Sequence, residues 1–183
     1  MKVIEIDEHL KLQQMGLEDA ERMFERVEHN RAELREWMGW VDGSKSPADT
    51  KAFIQGTIDQ AAAGKGYQML ILWDEEMVGV CGQHQVNLLN HCVSMGYWLC
   101  KDFQGRGIMT RACEVMVRMA FEEQGLHRLE LRAGIENYKS RAVAERLGFT
   151  YEGVCREGEF LYDRYADLMV YSLLKHEWEQ ARS

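Results

Sequence analysis

Residues Gly96 to Thr110 read Gly-Tyr-Trp-Leu-Cys-Lys-Asp-Phe-Gln-Gly-Arg-Gly-Ile-Met-Thr and pass from an apolar run through a glycine-bearing turn into a helical pattern. Beyond Thr110 the apolar residues Ala112, Val115, Met116, Met119 and Ala120 recur at helical spacing, which puts Gly105 and Gly107 at the helix start. The first turn of a helix leaves N–H groups without intrahelical partners, and the positive end of the helix dipole lies there too. Gln104 to Met109 therefore reads as an anion site suited to a pyrophosphate, with glycines that let the backbone approach the ligand closely. The stretch lacks both the Gly-Lys-Ser/Thr end of a P-loop and the three-glycine spacing of a dinucleotide fingerprint. Lys101, Arg106 and Arg111 crowd it against the single acid Asp102.

The elements that must position this loop can be read on either side of it. Leu10 to Met15 alternates like a strand, and Glu18 to His29 reads as a helix with Ala20, Met23, Phe24 and Val27 on one face. Leu34, Trp37, Met38 and Trp40 form core or the floor of a pocket, core being the default for aromatics at helical spacing. Ser46-Pro47-Ala48-Asp49 offers an N-cap, a proline at the first helical position and an acid three after the cap, opening a helix to about Ala63 that Gly64 and Gly66 end. Tyr67 to Trp73 and Val78 to His84 are apolar runs joined by the polar Asp74-Glu75-Glu76 turn, and Cys92 to Leu99 is a third; they read as antiparallel neighbours. Further on come a strand at Leu129 to Ala133, a helix at Ser140 to Leu147, and strands near Tyr151 to Cys155 and Asp167 to Leu173. The class is α/β, a mixed and mostly antiparallel sheet flanked by helices.

A chain of 183 residues with 46% hydrophobic and 28% charged content suits one domain over residues 1–183. The net charge of -8 argues against direct nucleic-acid binding, which needs a basic face. The N-terminus alternates apolar and acidic residues, unlike a signal peptide, and no stretch approaches a membrane span; no membrane association and a cytoplasmic location are expected. Cys81, Cys92, Cys100, Cys113 and Cys155 are odd in number and lie in apolar surroundings, as reduced packing residues do, and the histidines lack ligand spacing, so no metal is expected.

The glycine loop resembles the acetyl-CoA loop of the GNAT superfamily of N-acetyltransferases, Gln/Arg-x-x-Gly-x-Gly/Ala, with Gln104 and Gly107 matching and Met109 departing at the last position. Tyr97, Trp98, Leu99, Phe103, Gly105, Gly107, Met109 and Thr110 are similar to the branch that contains the ribosomal-protein N-terminal acetyltransferases RimJ and RimL. Asn137 to Phe149 resembles the superfamily's second signature, an Asn, a small residue three later and a helix ending in Gly-Phe. The resemblance implies a sheet with two splayed central strands, acetyl-CoA as co-substrate, a protein N-terminus as acceptor, possible ribosomal origin of that protein, and a homodimer or higher homo-oligomer. It places the donor against Trp98, Leu99, Gln104, Gly105, Arg106, Gly107, Ile108, Met109, Thr110, Asn137 and Ser140.

The same resemblance assigns the chemistry. Many members carry a tyrosine acid four residues before the Gly of Gly-Phe, where this chain has Ala144, and Ser140 matches the RimL-type serine placed at the thioester sulfur. Serine before a helix is more often its N-cap. Glu159, in Glu157-Gly158-Glu159-Phe160-Leu161, resembles the RimL glutamate that faces the acceptor amine, against the alternative of a solvated loop carboxylate. Asn137 orients the donor or Ser140, or satisfies local backbone. His84 faces the cleft or, by default, is a hydrogen-bonded core residue. Cys100 as an acetyl-carrying nucleophile is discounted for want of a histidine partner. Two rivals stand beside N-terminal acetylation: transfer to a polyamine or other small amine, and an acyl-CoA-binding module without turnover. Tyr171, Leu174 and Trp178 read as exposed positions for self-association or as the last of the core.

Overall fold

The computed structural model describes residues 2–182. In chain order the elements are β1 (Val3–Glu5), β2 (Leu10–Gln14), α1 (Ala20–His29), α2 (Arg31–Trp37), α3 (Pro47–Ala62), β3 (Gln68–Trp73), β4 (Glu76–Asn87) and β5 (Cys92–Leu99). Then come α4 (Ile108–Arg118), β6 (Arg128–Gly134), α5 (Tyr138–Arg146), β7 (Thr150–Leu161), β8 (Arg164–Leu174) and α6 (Lys175–Ala181). The strands form one eight-stranded sheet in the order β1-β2-β3-β4-β5-β6-β8-β7, antiparallel except for the parallel pair β5 and β6.

Local chemistry sets the element ends. Ser46 Oγ accepts the Asp49 N–H at 3.4 Å with Pro47 at the first helical position, so α3 starts where the cap pattern put it. Asp74 and Glu75 take φ of 49° and 65°, the geometry of a two-residue turn whose twist matches the strands it joins. Strand β3 is buried on both faces: Met69 and Ile71 join the core under α4, while Leu70 and Leu72 join a second core with α1 and α3. The sheet is thus the middle of three layers.

Two details position the site. The β5–β6 pairing ends at Met95 opposite Leu131, although β5 runs on to Leu99 and β6 to Gly134, so the strands part at the sheet centre. Strand β7 is longer than the sequence implied and contains Glu159, which therefore lies on a strand and not in a loop. Its register against β8 shifts between Cys155 and Glu159, where Glu157 takes φ of 51° and its N–H donates to Asp167 Oδ1 at 2.7 Å. Such a bulge re-aims the side chains that follow it.

The C-terminal apolar residues complete the interior. Tyr171 is buried in the main core, Leu174 is half-buried, and Trp178 packs its ring 5.4 Å from Phe121. They therefore do not form an exposed association patch. Among the described residues, no helix is long and apolar enough to cross a membrane.

Candidate active site

Gly107 is the N-cap of α4 and takes φ of 73°, a left-handed conformation that costs a residue with Cβ roughly 1 kcal/mol or more. No side chain caps this helix, and its first internal bond is Arg111 N–H to Gly107 O at 3.2 Å. The amides of Ile108, Met109 and Thr110 thus leave the helix end without a protein acceptor among the described residues. A Cβ built on Gly105 or Gly107 would meet nothing within 4 Å, so there is open space in front of them. Ile108 and Met109 bury their side chains in the core and offer the loop only their backbone.

The charges around this loop differ from the sequence reading. Lys101 is paired with Glu33 at 2.6 Å and Arg111 with Asp7, both drawn away by acids distant in sequence. Arg106 remains, donating to Asp102 O at 3.0 Å and lying 5.2 Å above the Phe103 ring. Helix α5 adds two cations that sequence reasoning missed: Lys139 Nζ donates to Gln104 Oε1 at 2.6 Å and Arg146 reaches Thr110 Oγ1 at 3.3 Å. Gln104 also donates to Leu99 O at 3.3 Å, so its side chain ties strand, loop and helix together.

Where β5 and β6 part, a cavity of about 710 Å³ opens, with Gly96, Tyr97 and Trp98 on one strand and Leu131 to Gly134 on the other. Trp98 faces this cavity with a mostly buried side chain, and Leu99 packs toward the main core. Trp37, Met38 and Trp40 line the cavity, the pocket-floor alternative and not the default of core, although Met38 also packs against the second core that Leu34 joins. The Trp37 ring rests on Gly134, where a Cβ would come within 3.2 Å of it, so the absence of a side chain there sets how close α2 comes to β6.

Asn137 Oδ1 accepts the Ser140 N–H at 3.1 Å and is the N-cap of α5. Ser140 is therefore not the cap, and its Oγ lies 3.1 Å from Tyr97 Oη, which is also 3.1 Å from the Ser140 carbonyl oxygen. Asn137, Ser140 and Glu159 all line the cavity. Partial burial without a nearby cation raises the Glu159 pKa. His84 also lines the cavity, makes no hydrogen bond to the described residues, and has its pKa lowered by burial, which favours the neutral ring. Burial pushes the Cys100 thiol up to about 11, so thiolate is scarce there. Among the described residues, no group of three His, Cys, Asp or Glu is placed to hold a metal.

One polar atom on the cavity wall lacks a partner. Thr50 of α3 is 4% exposed and its Oγ1 makes no hydrogen bond, whereas Thr57, two turns on, donates to Ile54 O at 2.8 Å. Nothing in the residue types separates the two, because both are threonines in one helix.

The acetyltransferase (GNAT) domain model matches residues 9–150, and the chain belongs to this family. It is 36% identical over 181 residues, 98% of each chain, to YdaF of Bacillus subtilis (strain 168), which carries the name of a ribosomal N-acetyltransferase. It is 27% identical over 171 residues to the ribosomal-protein-serine acetyltransferase of Escherichia coli (strain K12), covering 93% of this chain and 96% of that one. The solved structure of RimL, a ribosomal L7/L12 alpha-N-protein acetyltransferase in complex with coenzyme A, superposes with a TM-score of 0.91 at 27% identity, covering 94% and 98% of the two chains. The chain is an acetyl-CoA-dependent N-acetyltransferase, related to enzymes that modify ribosomal proteins.

Proposed function

We propose that this enzyme acetylates the α-amine of a protein N-terminus, a ribosomal protein being the acceptor its relatives' names favour, by direct attack within a ternary complex in the cytoplasm. The observation that carries the reading is that Ser140 and Glu159, on different elements, line the one cavity that opens where β5 and β6 part. The uncapped amides from Ile108 to Thr110, with Gly105, Arg106 and Gln104 beside them, suit the pyrophosphate of acetyl-CoA, and the gap beside Trp98, Leu99 and Asn137 suits its thioester arm.

In this reading the amine nitrogen forms the new C–N bond, its proton goes to the Glu159 carboxylate, and the C–S bond breaks with its electron pair on sulfur. Sulfur takes the Ser140 Oγ proton, which solvent restores. An α-amine with pKa near 8 is about one-tenth neutral at pH 7, whereas a lysine-like amine is neutral in only about one molecule in 2,500. A single half-buried carboxylate is base enough for the first and poor for the second. The buried Cys100 thiol supports direct transfer over an acetyl-cysteine route.

Turnover of acetyl-CoA with serine- and alanine-initiated peptides and with spermidine tests the proposal. Peptide acetylation at the α-amine is expected; turnover of spermidine alone would overturn the acceptor class, and CoA binding without any turnover would favour a binding module. The homo-oligomer implied by the resemblance is part of the same proposal, and sedimentation of the purified protein checks it.

A further inference from the structure

Tyr97 stands on β5 just past Met95, the last residue of that strand paired with β6, so its phenol projects beside the gap and reaches α5. Three oxygens meet there. Tyr97 Oη is 3.1 Å from Ser140 Oγ and 3.1 Å from the Ser140 carbonyl oxygen, and among the described residues Ser140 Oγ has no other partner. Ala144, one turn along the same face of α5, is buried with only a methyl, so no neighbour on that face competes for the serine hydroxyl.

Proton counting gives this contact its meaning. Two hydroxyl hydrogens serve three oxygens, and the carbonyl can only accept. If the phenol donates to the carbonyl, the serine hydrogen is drawn onto Oη and away from the cavity. If the phenol donates to Oγ, the serine hydrogen is free to point into the cavity, and Oγ gains a donor that steadies negative charge as its proton departs. Burial disfavours the phenolate, so the phenol keeps its proton in both arrangements.

We propose that Tyr97 is a positioning residue for Ser140, its hydroxyl switching from the carbonyl to Oγ as the serine gives its proton to the leaving thiolate. This rests on the serine's role in the proposed function above. The contact is part-buried on the cavity wall, where a hydrogen bond is stronger than one fully exposed to water.

A double-mutant cycle tests the pair, with Tyr97→Phe, Ser140→Ala and the double variant assayed on acetyl-CoA and a serine-initiated peptide. Tyr97→Phe keeps the ring and is expected to lower kcat by about tenfold, the size of one hydrogen bond realised in the transition state, with both KM values and CoA affinity within about twofold. In the Ser140→Ala background the same change should alter kcat by less than about twofold. An equal loss in both backgrounds, or no loss in the native one, would overturn the proposal while leaving the serine's role intact. A Ser140→Ala variant with native kcat would instead remove that role, and the Tyr97 proposal with it. Should Tyr97→Phe fail to fold, 3-fluorotyrosine at position 97 keeps the hydroxyl and changes its donor strength: a kcat change that vanishes with Ser140→Ala supports the pairing, and one that persists overturns it.

Discussion

The Ser140 backbone N–H donates to Asn137 Oδ1 at 3.1 Å, which releases the serine hydroxyl from the helix end that its sequence position suggested it would cap. Ser140→Ala should therefore leave the melting temperature within about 2 °C while kcat falls about 10- to 100-fold, because a thiolate of pKa about 8.5 is an undemanding leaving group. Asn137→Ala should lower stability by about 1 kcal/mol through loss of the cap. Calorimetry beside steady-state kinetics separates the two, and a large drop in melting temperature for Ser140→Ala would contradict the assignment.

Proline at position 107 should abolish CoA binding. Its ring holds φ near −65°, whereas Gly107 takes 73°, so the cap of α4 must rearrange and its free amides turn away. Titration calorimetry with CoA is the check, and native affinity would remove the loop from the binding site.

The raised Glu159 pKa sets a pH window for activity. Below it the wild-type carboxyl is already protonated, so Glu159→Gln should cost little; the loss should peak between that pKa and about 8, then shrink as an α-amine deprotonates itself. Profiles of kcat/KM from pH 5 to 9 read this directly, and identical profiles would leave Glu159 without a role.

Stability should move the opposite way at the same residue. A carboxyl with a folded pKa above its unfolded value contributes stability that is present below the unfolded pKa and lost as pH rises through the folded one. Glu159→Gln should thus melt higher than wild type at pH 7 and alike near pH 4. A variant that melts lower at pH 7 would show a stabilising partner for the carboxylate.

Thr50→Val removes a buried hydroxyl that has no partner and keeps the side-chain shape, so it should raise stability by about 1 kcal/mol. Thr57→Val, which breaks the bond to Ile54 O, should not. Denaturant midpoints of the two variants, measured in parallel, decide whether the orphan hydroxyl is a cost.

Much of this was legible in the chain. The Ser46-Pro47 start of α3, the strands around Asp74 and Glu75 and the glycine loop were readable because each depends on neighbours in sequence. What could not be read depended on topology. The partners of Lys101 and Arg111 are Glu33 and Asp7, far away in the chain, while Lys139 and Arg146 arrive only when α5 packs beside the loop. Trp37 and Trp40 fell to core by default because helical spacing identifies a face without saying whether a neighbouring helix or a cavity covers it. The continuation of β7 past Cys155 to Glu159 could not be read because the bulge after Cys155 interrupts the alternation that marks a strand. Tyr97 passed as a matching residue of the loop's leading strand, since its meeting with Ser140 joins positions 43 apart.

The parting of β5 from β6 reaches beyond catalysis to the lifetime of the chain. A sheet left open at its centre carries backbone groups that a bound molecule can occupy and a folding chain alone does not. A ligand held there at a hundred times its dissociation constant adds about 2.7 kcal/mol to the folded state, enough to change the share of molecules open to proteases by about a hundredfold. A chain with this gap filled should therefore resist proteolysis far longer than the same chain with it empty, so its sheet is completed by what it binds.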